Sequence, residues 1–212
     1  IHFDAYLFDN DTKSTFGSNT QTEQGGFAFR RTYLTLTGKL YGWKYKFEND
    51  FAAGASPGSY REMWVSTTLG NGDLTIGQFK PYRGMEELTS SNDITLIERP
   101  WTSATGIYAG RQFLMGVGYK GLVADQFGYA VHAMGLGAAN TTTEGTSVGG
   151  RLFWAPMQDE GNALHLGLSV SQDSRDTNST APATSAPYAG RRGPTAALGT
   201  AEGRPSKGDL FG

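Results

Sequence analysis

The sequence predicts an all-β chain, an antiparallel sheet of the transmembrane barrel kind. Three observations carry this. Apolar and polar residues alternate at period two along most of the 212 residues, the period of a strand whose two faces meet different surroundings. About eight alternating segments are joined by short turns and long polar loops in alternation. Their apolar faces are rich in aromatics, with twelve Phe, ten Tyr and four Trp in the chain, many of them near segment ends. An apolar band flanked by aromatic girdles is what a lipid-facing barrel wall presents, and closing the sheet satisfies every backbone group, as hydrocarbon demands. A soluble β-sandwich alternates in the same way. Its outward faces, however, need not be so apolar, nor its connections so regularly short and long.

The opening strand is Ile1 to Phe8, with Ile1, Phe3, Ala5 and Leu7 on one face and His2, Asp4 and Tyr6 on the other. Asp9 to Gln24 is a polar loop rich in Asn, Thr, Ser and Gly. The strand Gly25 to Gly38 follows, and a tight Tyr41-Gly42 turn leads into WKYKFENDF. There Trp43, Tyr45, Phe47 and Phe51 face one way, while Lys44, Lys46, Glu48 and Asp50 face the other. That charged face suits a solvated lumen wall of balanced charge. A Gly/Ser/Pro loop (Gly54 to Ser59) precedes the strand Tyr60 to Leu69. Gly70-Asn71-Gly72 is a hairpin turn, and Leu74 to Lys80 returns.

Pro81 to Gly110 breaks the rhythm with PYRGMEELTSSNDITLIERPW. Loops this long inside a compact domain are usually functional. Alternation resumes at Phe113, Met115, Val117 and Tyr119, and Phe127 to Gly137 continues it beyond a short turn at Val123 to Gln126. After a Thr-rich loop at Asn140 to Thr143, Val148, Leu152 and Trp154 oppose Ser147, Gly149 and Arg151. A turn at Met157 to Asn162 precedes ALHLGLSVS, where Leu164, Leu166, Leu168 and Val170 oppose His165, Ser169 and Ser171. Residues 172–212 are rich in Ser, Thr, Pro and Gly and are expected to form a long loop or tail.

Within GGFAFRRTYLTLTG the alternation changes phase. Phe27 and Phe29 share one face from the front, and Leu34 and Leu36 share it from the back. Both hold only if one extra residue sits at Arg30-Arg31, as in a β-bulge, which re-aims side chains. The bulge would put Arg30, Arg31 and Tyr33 on one polar face. A charged pair at a frayed strand end is the alternative.

Composition bounds the rest. The net charge of −2 excludes a bulk basic surface for nucleic acid, so any anion recognition needs locally placed arginines. There is no cysteine, and a large barrel closed by hydrogen bonds needs no disulfide. No run approaches the roughly 18 apolar residues of a transmembrane helix. Ile1 opens directly in an alternating segment, so the sequence is expected to begin after any export signal. His2, His132 and His165 are scattered without metal-ligand spacing. Glu86-Glu87 would point oppositely in a strand, and Ser90-Ser91 lacks a nucleophile elbow. No catalytic residue, metal or cofactor is expected. Gly116-Val117-Gly118 reads as small packing positions and not as a phosphate loop.

In series, FAFRRTYLTLTGKLYGWKYKFENDF, LTIGQFKPYRGMEELTSSNDITLIERP and GNALHLGLSVSQDS resemble the phosphate-selective porins O and P of Gram-negative outer membranes. The resemblance covers most of residues 25–173. It implies a trimeric barrel of sixteen strands, a passive channel and not an enzyme, of which this chain would be about the N-terminal half. The loop within 81–110 would fold inward as a constriction. By the same resemblance Arg30, Arg31 and Tyr33 map onto the family's central anion site, and Ser90, Ser91 and Asn92 onto its loop. Asn92 and Glu87 stand where phosphate-selective members carry lysines, and Arg61 where they carry an aspartate. The resemblance also implies a ladder of several arginines in the region of Ser174 to Gly193, where only Arg175, Arg191 and Arg192 could contribute. Arg61 and Lys80 are further candidates for the site.

The expected function is therefore passage of small, phosphate-like anions across the outer membrane, in contact with lipid and lipopolysaccharide. The alternatives are a general diffusion porin with little anion preference, an outer-membrane barrel enzyme, and a soluble carbohydrate-binding sandwich.

Overall fold

The computed structural model describes residues 1–6, 26–53, 60–90, 92–94, 112–136, 145–159, 161–175, 185–187, 195–197 and 208–211. The loops expected at 9–24, 54–59 and 140–143 lie outside these residues, as do Ser91, Arg191 and Arg192.

The strands are β1 (His2–Tyr6), β2 (Gly26–Arg31), β3 (Tyr33–Leu40), β4 (Trp43–Asp50), β5 (Tyr60–Leu69), β6 (Gly72–Phe79), β7 (Leu114–Val123), β8 (Phe127–Gly135), β9 (Gly145–Asp159) and β10 (Asn162–Arg175). Three short strands follow: β11 (Ser185–Pro187), β12 (Thr195–Ala197) and β13 (Gly208–Phe211). The main sheet has nine strands in the order β13-β10-β9-β8-β7-β6-β5-β4-β3, while β1 pairs with β2 and β11 with β12. From β3 to β10 this is an antiparallel meander. The all-β antiparallel architecture is thus observed.

Short turns lie at one end of the meander. Tyr41-Gly42 closes β3–β4 with φ of 49° and 85°, the positive pair that a tight hairpin twist requires. Gly70-Asn71 closes β5–β6 and residues 124–126 close β7–β8. Long connections occupy the other end, the arrangement of a membrane barrel wall.

The faces follow the alternation. Leu34, Leu36, Val65, Ile76, Val117, Val131, Leu152, Leu164, Leu166 and Leu168 are exposed on the outer face. Trp43 is exposed there, and Tyr45 and Phe47 are half-buried by neighbours. Aromatic rings near the turns lie over glycines of adjacent strands: Tyr45 over Gly38, Tyr119 over Gly72 and Tyr129 over Gly121. Phe127 and Trp154 stack at 5.9 Å. On the inner face, Phe79, Tyr82, Leu114, Ala130, Met134 and Leu136 form a small core with Trp64 against it. Gly118 leaves room for the Phe79 and Tyr82 rings, which would sit 2.8 Å from an added Cβ.

Two local structures differ from the sequence expectation. Residues 172–212 are not loop throughout: β10 continues to Arg175, and Gln172–Arg175 pair with β13. Ladder bonds outweigh a polar composition once a partner strand lies alongside. Glu86 and Glu87 sit in a helical turn, α1 (Met85–Leu88), and not in a strand.

Candidate functional site

The β2 register shows why the alternation changes phase. His2 pairs with Arg31 and Phe3 with Phe29, which leaves Arg30 as the extra residue. The ladder then breaks at Thr32, whose N–H donates to Asp50 Oδ1 at 2.9 Å and whose carbonyl accepts from Phe51 N at 2.9 Å. Asp50 also accepts from Ala52 N at 3.0 Å, so it caps this corner. A second bulge sits opposite, where Glu48 pairs with Glu62 and Asn49 with Tyr60. Arg61 is the residue left over, and the bulge aims it at the same face as its neighbour Glu62.

Arg31, next to the first bulge residue, and Arg61, the residue of the second, meet at one cavity of about 550 Å³. Arg31, Tyr33, Arg61, Lys80, Ser90 and Asn92 line it, together with Lys46, Glu48, Glu62 and Leu88. Arg30 is half-buried and is not among the lining residues. The walls come from β2–β5 on one side and from the loop after β6 on the other.

Arg61 is the best held of the cations. Its guanidinium carbon lies 4.4 Å from the Tyr33 ring centroid and 4.6 Å from that of Phe113, a sandwich worth about 0.5–2 kcal/mol per face. Its Nε donates to Glu48 at 3.1 Å. Glu48 also accepts from Thr35 Oγ1 at 2.9 Å and lies 3.4 Å from Lys46 Nζ. Lys46 meets Glu62 at 3.0 Å as well. The lining carries four basic side chains against two carboxylates, a surplus of two positive charges in a chain whose net charge is −2. The Tyr33 hydroxyl oxygen is buried and has no hydrogen-bond partner among the described residues.

The loop is tied at its base. Lys80 Nζ donates to the Glu87 carbonyl at 2.6 Å and lies 3.9 Å from the Glu87 carboxylate. Gln112 Nε2, at the returning end, donates to the same carboxylate at 2.8 Å. Glu87 therefore closes the loop on itself. Downstream, Asn92 N donates to Ser90 Oγ at 3.2 Å, a local turn that sets both residues on the cavity.

The sequence pattern assigns Glu48 and Lys46 to a lumen wall and does not single out Glu62, and it puts Phe113 in phase with Met115, Val117 and Tyr119, whereas Phe113 lies just before β7 and turns onto Arg61. The period-two pattern places the first two on the inner face, but the β5 bulge that delivers Arg61 left no phase change in the sequence. Lys44 does behave as a wall residue, paired with Asp73 at 3.0 Å.

Comparison with known proteins gives the family. Residues 4–196 match the family model described as Phosphate-selective porin O and P. Porin O of Pseudomonas aeruginosa is 31% identical over 163 residues, covering 72% of this chain and 36% of that protein. The chain thus spans about a third of the length of this curated relative.

Proposed function

The chain belongs to the family of phosphate-selective porins O and P, and from that premise we propose that it forms part of an outer-membrane channel for passive diffusion of small anions. The observation that carries this reading is the single cavity in which Arg31, Arg61 and Lys80 meet Tyr33, Ser90 and Asn92. An anion entering a narrow pore sheds part of its hydration shell and needs replacement donors. Arginine offers a fixed charge and a planar fork suited to phosphate or carboxylate oxygens. The Ser90 hydroxyl and the Asn92 amide add neutral donors, and the Tyr33 ring backs the Arg61 guanidinium.

The constriction on this reading is lined by Arg31, Tyr33, Ser90 and Asn92, with Arg61 and Lys80 beside them and Arg30 off the lining, and the described part of the loop after β6 narrows the lumen. Conduction requires binding weak enough for exit. Glu48 and Glu62 supply that weakening, because they offset two of the four lining cations. The proposed selectivity is therefore for phosphate-like anions with only a modest margin over chloride, in a homotrimer bounded by lipid and lipopolysaccharide. Reversal potentials of the full-length protein in planar bilayers under a salt gradient test this. A potential of cation-selective sign would overturn it.

A further inference from the structure

Arg83 belongs to the loop after β6, yet its side chain ends against β9 and β10. Its Nη2 donates to both Asp173 oxygens, at 2.9 and 3.1 Å, and to Ser147 Oγ at 3.1 Å. Asp173 and Ser147 are direct register partners, so one guanidinium bridges the seam between two strands. The Arg83 carbonyl is held too: Arg151 Nη1 donates to it at 3.1 Å and Ser169 Oγ at 2.9 Å. The side chains of Arg83 and Asp173 are 4% and 1% exposed, and Ser147 is fully buried.

A charge pair this far out of water does not tolerate the loss of one member, because the survivor keeps its desolvation cost without its partner. The Glu87 tie joins the two ends of the loop to each other. It does not fix where the loop lies in the lumen. Arg83 does, because it joins the loop to the far wall. A single helical turn, in which Leu88 N bonds Gly84 O at 3.3 Å and Thr89 N bonds Met85 O at 2.9 Å, leads from Arg83 to Ser90 and Asn92.

We propose that Arg83 is a positioning residue for permeation: its bridge to Asp173 and Ser147 sets the depth at which Ser90 and Asn92 face Arg31 and Tyr33, and so sets the width and anion preference of the pore. This rests on the loop being the constriction. Releasing the bridge leaves the Arg83 carbonyl held by Arg151 and Ser169 but lets the segment beyond it shift away from Arg31 and Tyr33, so conductance rises while anion preference falls.

The test uses the full-length protein in planar bilayers, with assembly checked by heat-modifiable mobility. Arg83→Met, Asp173→Asn and the double variant are compared with deletion of Met85 to Ile94. Each single variant should raise unit conductance and shift the reversal potential toward zero, and the double should go no further than either, as for two ends of one contact. If Arg83→Met does not assemble, Arg83→Gln, which retains a donor amide, should give a smaller shift in the same direction. Parent values in the assembled point variants, with a rise in the deletion, would overturn the role of Arg83 and leave the constriction standing. Parent values in all of them would overturn both.

Discussion

Glu48 holds Arg61 by a 3.1 Å hydrogen bond on the wall of the cavity that Arg31 also lines. On the proposed reading, the pore carries its own counter-anion at the place where a permeating anion would bind. A charge about 4 Å from an ion contributes roughly 4 kcal/mol at an effective dielectric of about 20 and about 1 in water. One carboxylate is therefore enough to move selectivity.

Replacing it should expose the effect. Glu48→Gln keeps an acceptor oxygen for Arg61 Nε, turns the oxygen that accepts from Thr35 Oγ1 into an amide that donates to that hydroxyl, and removes the charge. Anion preference should rise and dwell times of phosphate in the pore should lengthen, both read from single-channel records. A fall in anion preference would mean that Glu48 organises the cations more than it offsets them.

The two faces of β4 can be told apart chemically, because the chain has no cysteine of its own. Tyr45 lies on the outer face over Gly38, and Lys46 lines the cavity. Tyr45→Cys should resist a membrane-impermeant thiol reagent, and Lys46→Cys should react from the aqueous pore. Equal labelling of the two positions would contradict the assignment of faces, since a one-residue slip inverts every side chain.

Much of this was legible in the sequence. Period-two alternation predicts the outer faces of β4, β9 and β10 because lipid and lumen impose opposite demands on neighbouring residues. The phase break at Arg30-Arg31 predicts the β2 bulge for the same reason. Arg83 was not legible. Its partners Ser147 and Asp173 lie 64 and 90 residues away, and the strand pattern around them looks the same with or without that contact. The Arg61 bulge was hidden because Trp64, packed on the inner face, continues the alternation of Tyr60 and masks the shift to Met63 and Val65. The helical turn at Met85–Leu88 was missed since four residues are too few for a periodic signal.

Glycine positions give a paired stability test. At Gly116 an added Cβ would collide with the Ala133 carbonyl oxygen and sit 2.6 Å from Met134 Cα, backbone that cannot step aside. At Gly84 nothing lies within 4 Å and φ is −67°. Gly116→Ala should cost about 1–3 kcal/mol, the usual range for overpacking, and lower the temperature at which the folded band is lost in gels. Gly84→Ala should leave that temperature unchanged. Equal sensitivity at the two sites would count against close approach of β7 and β8.

Arg31→Lys separates charge from shape. Lysine keeps the positive charge but presents a point donor in place of a planar fork. Overall anion preference should persist, while discrimination between phosphate and chloride weakens in competition measurements. Loss of the anion preference itself would show that the position of the charge matters more than its fork.

The most direct test removes the two arginines that meet at the cavity. The full-length protein carrying Arg31→Ala and Arg61→Ala should be measured for reversal potential in a planar bilayer under a salt gradient, beside the parent. With those charges gone, Glu48 and Glu62 face only Lys46 and Lys80 across the lining, so the potential should fall to near zero or change sign. An anion-selective potential equal to that of the parent would contradict the cavity as the selectivity site.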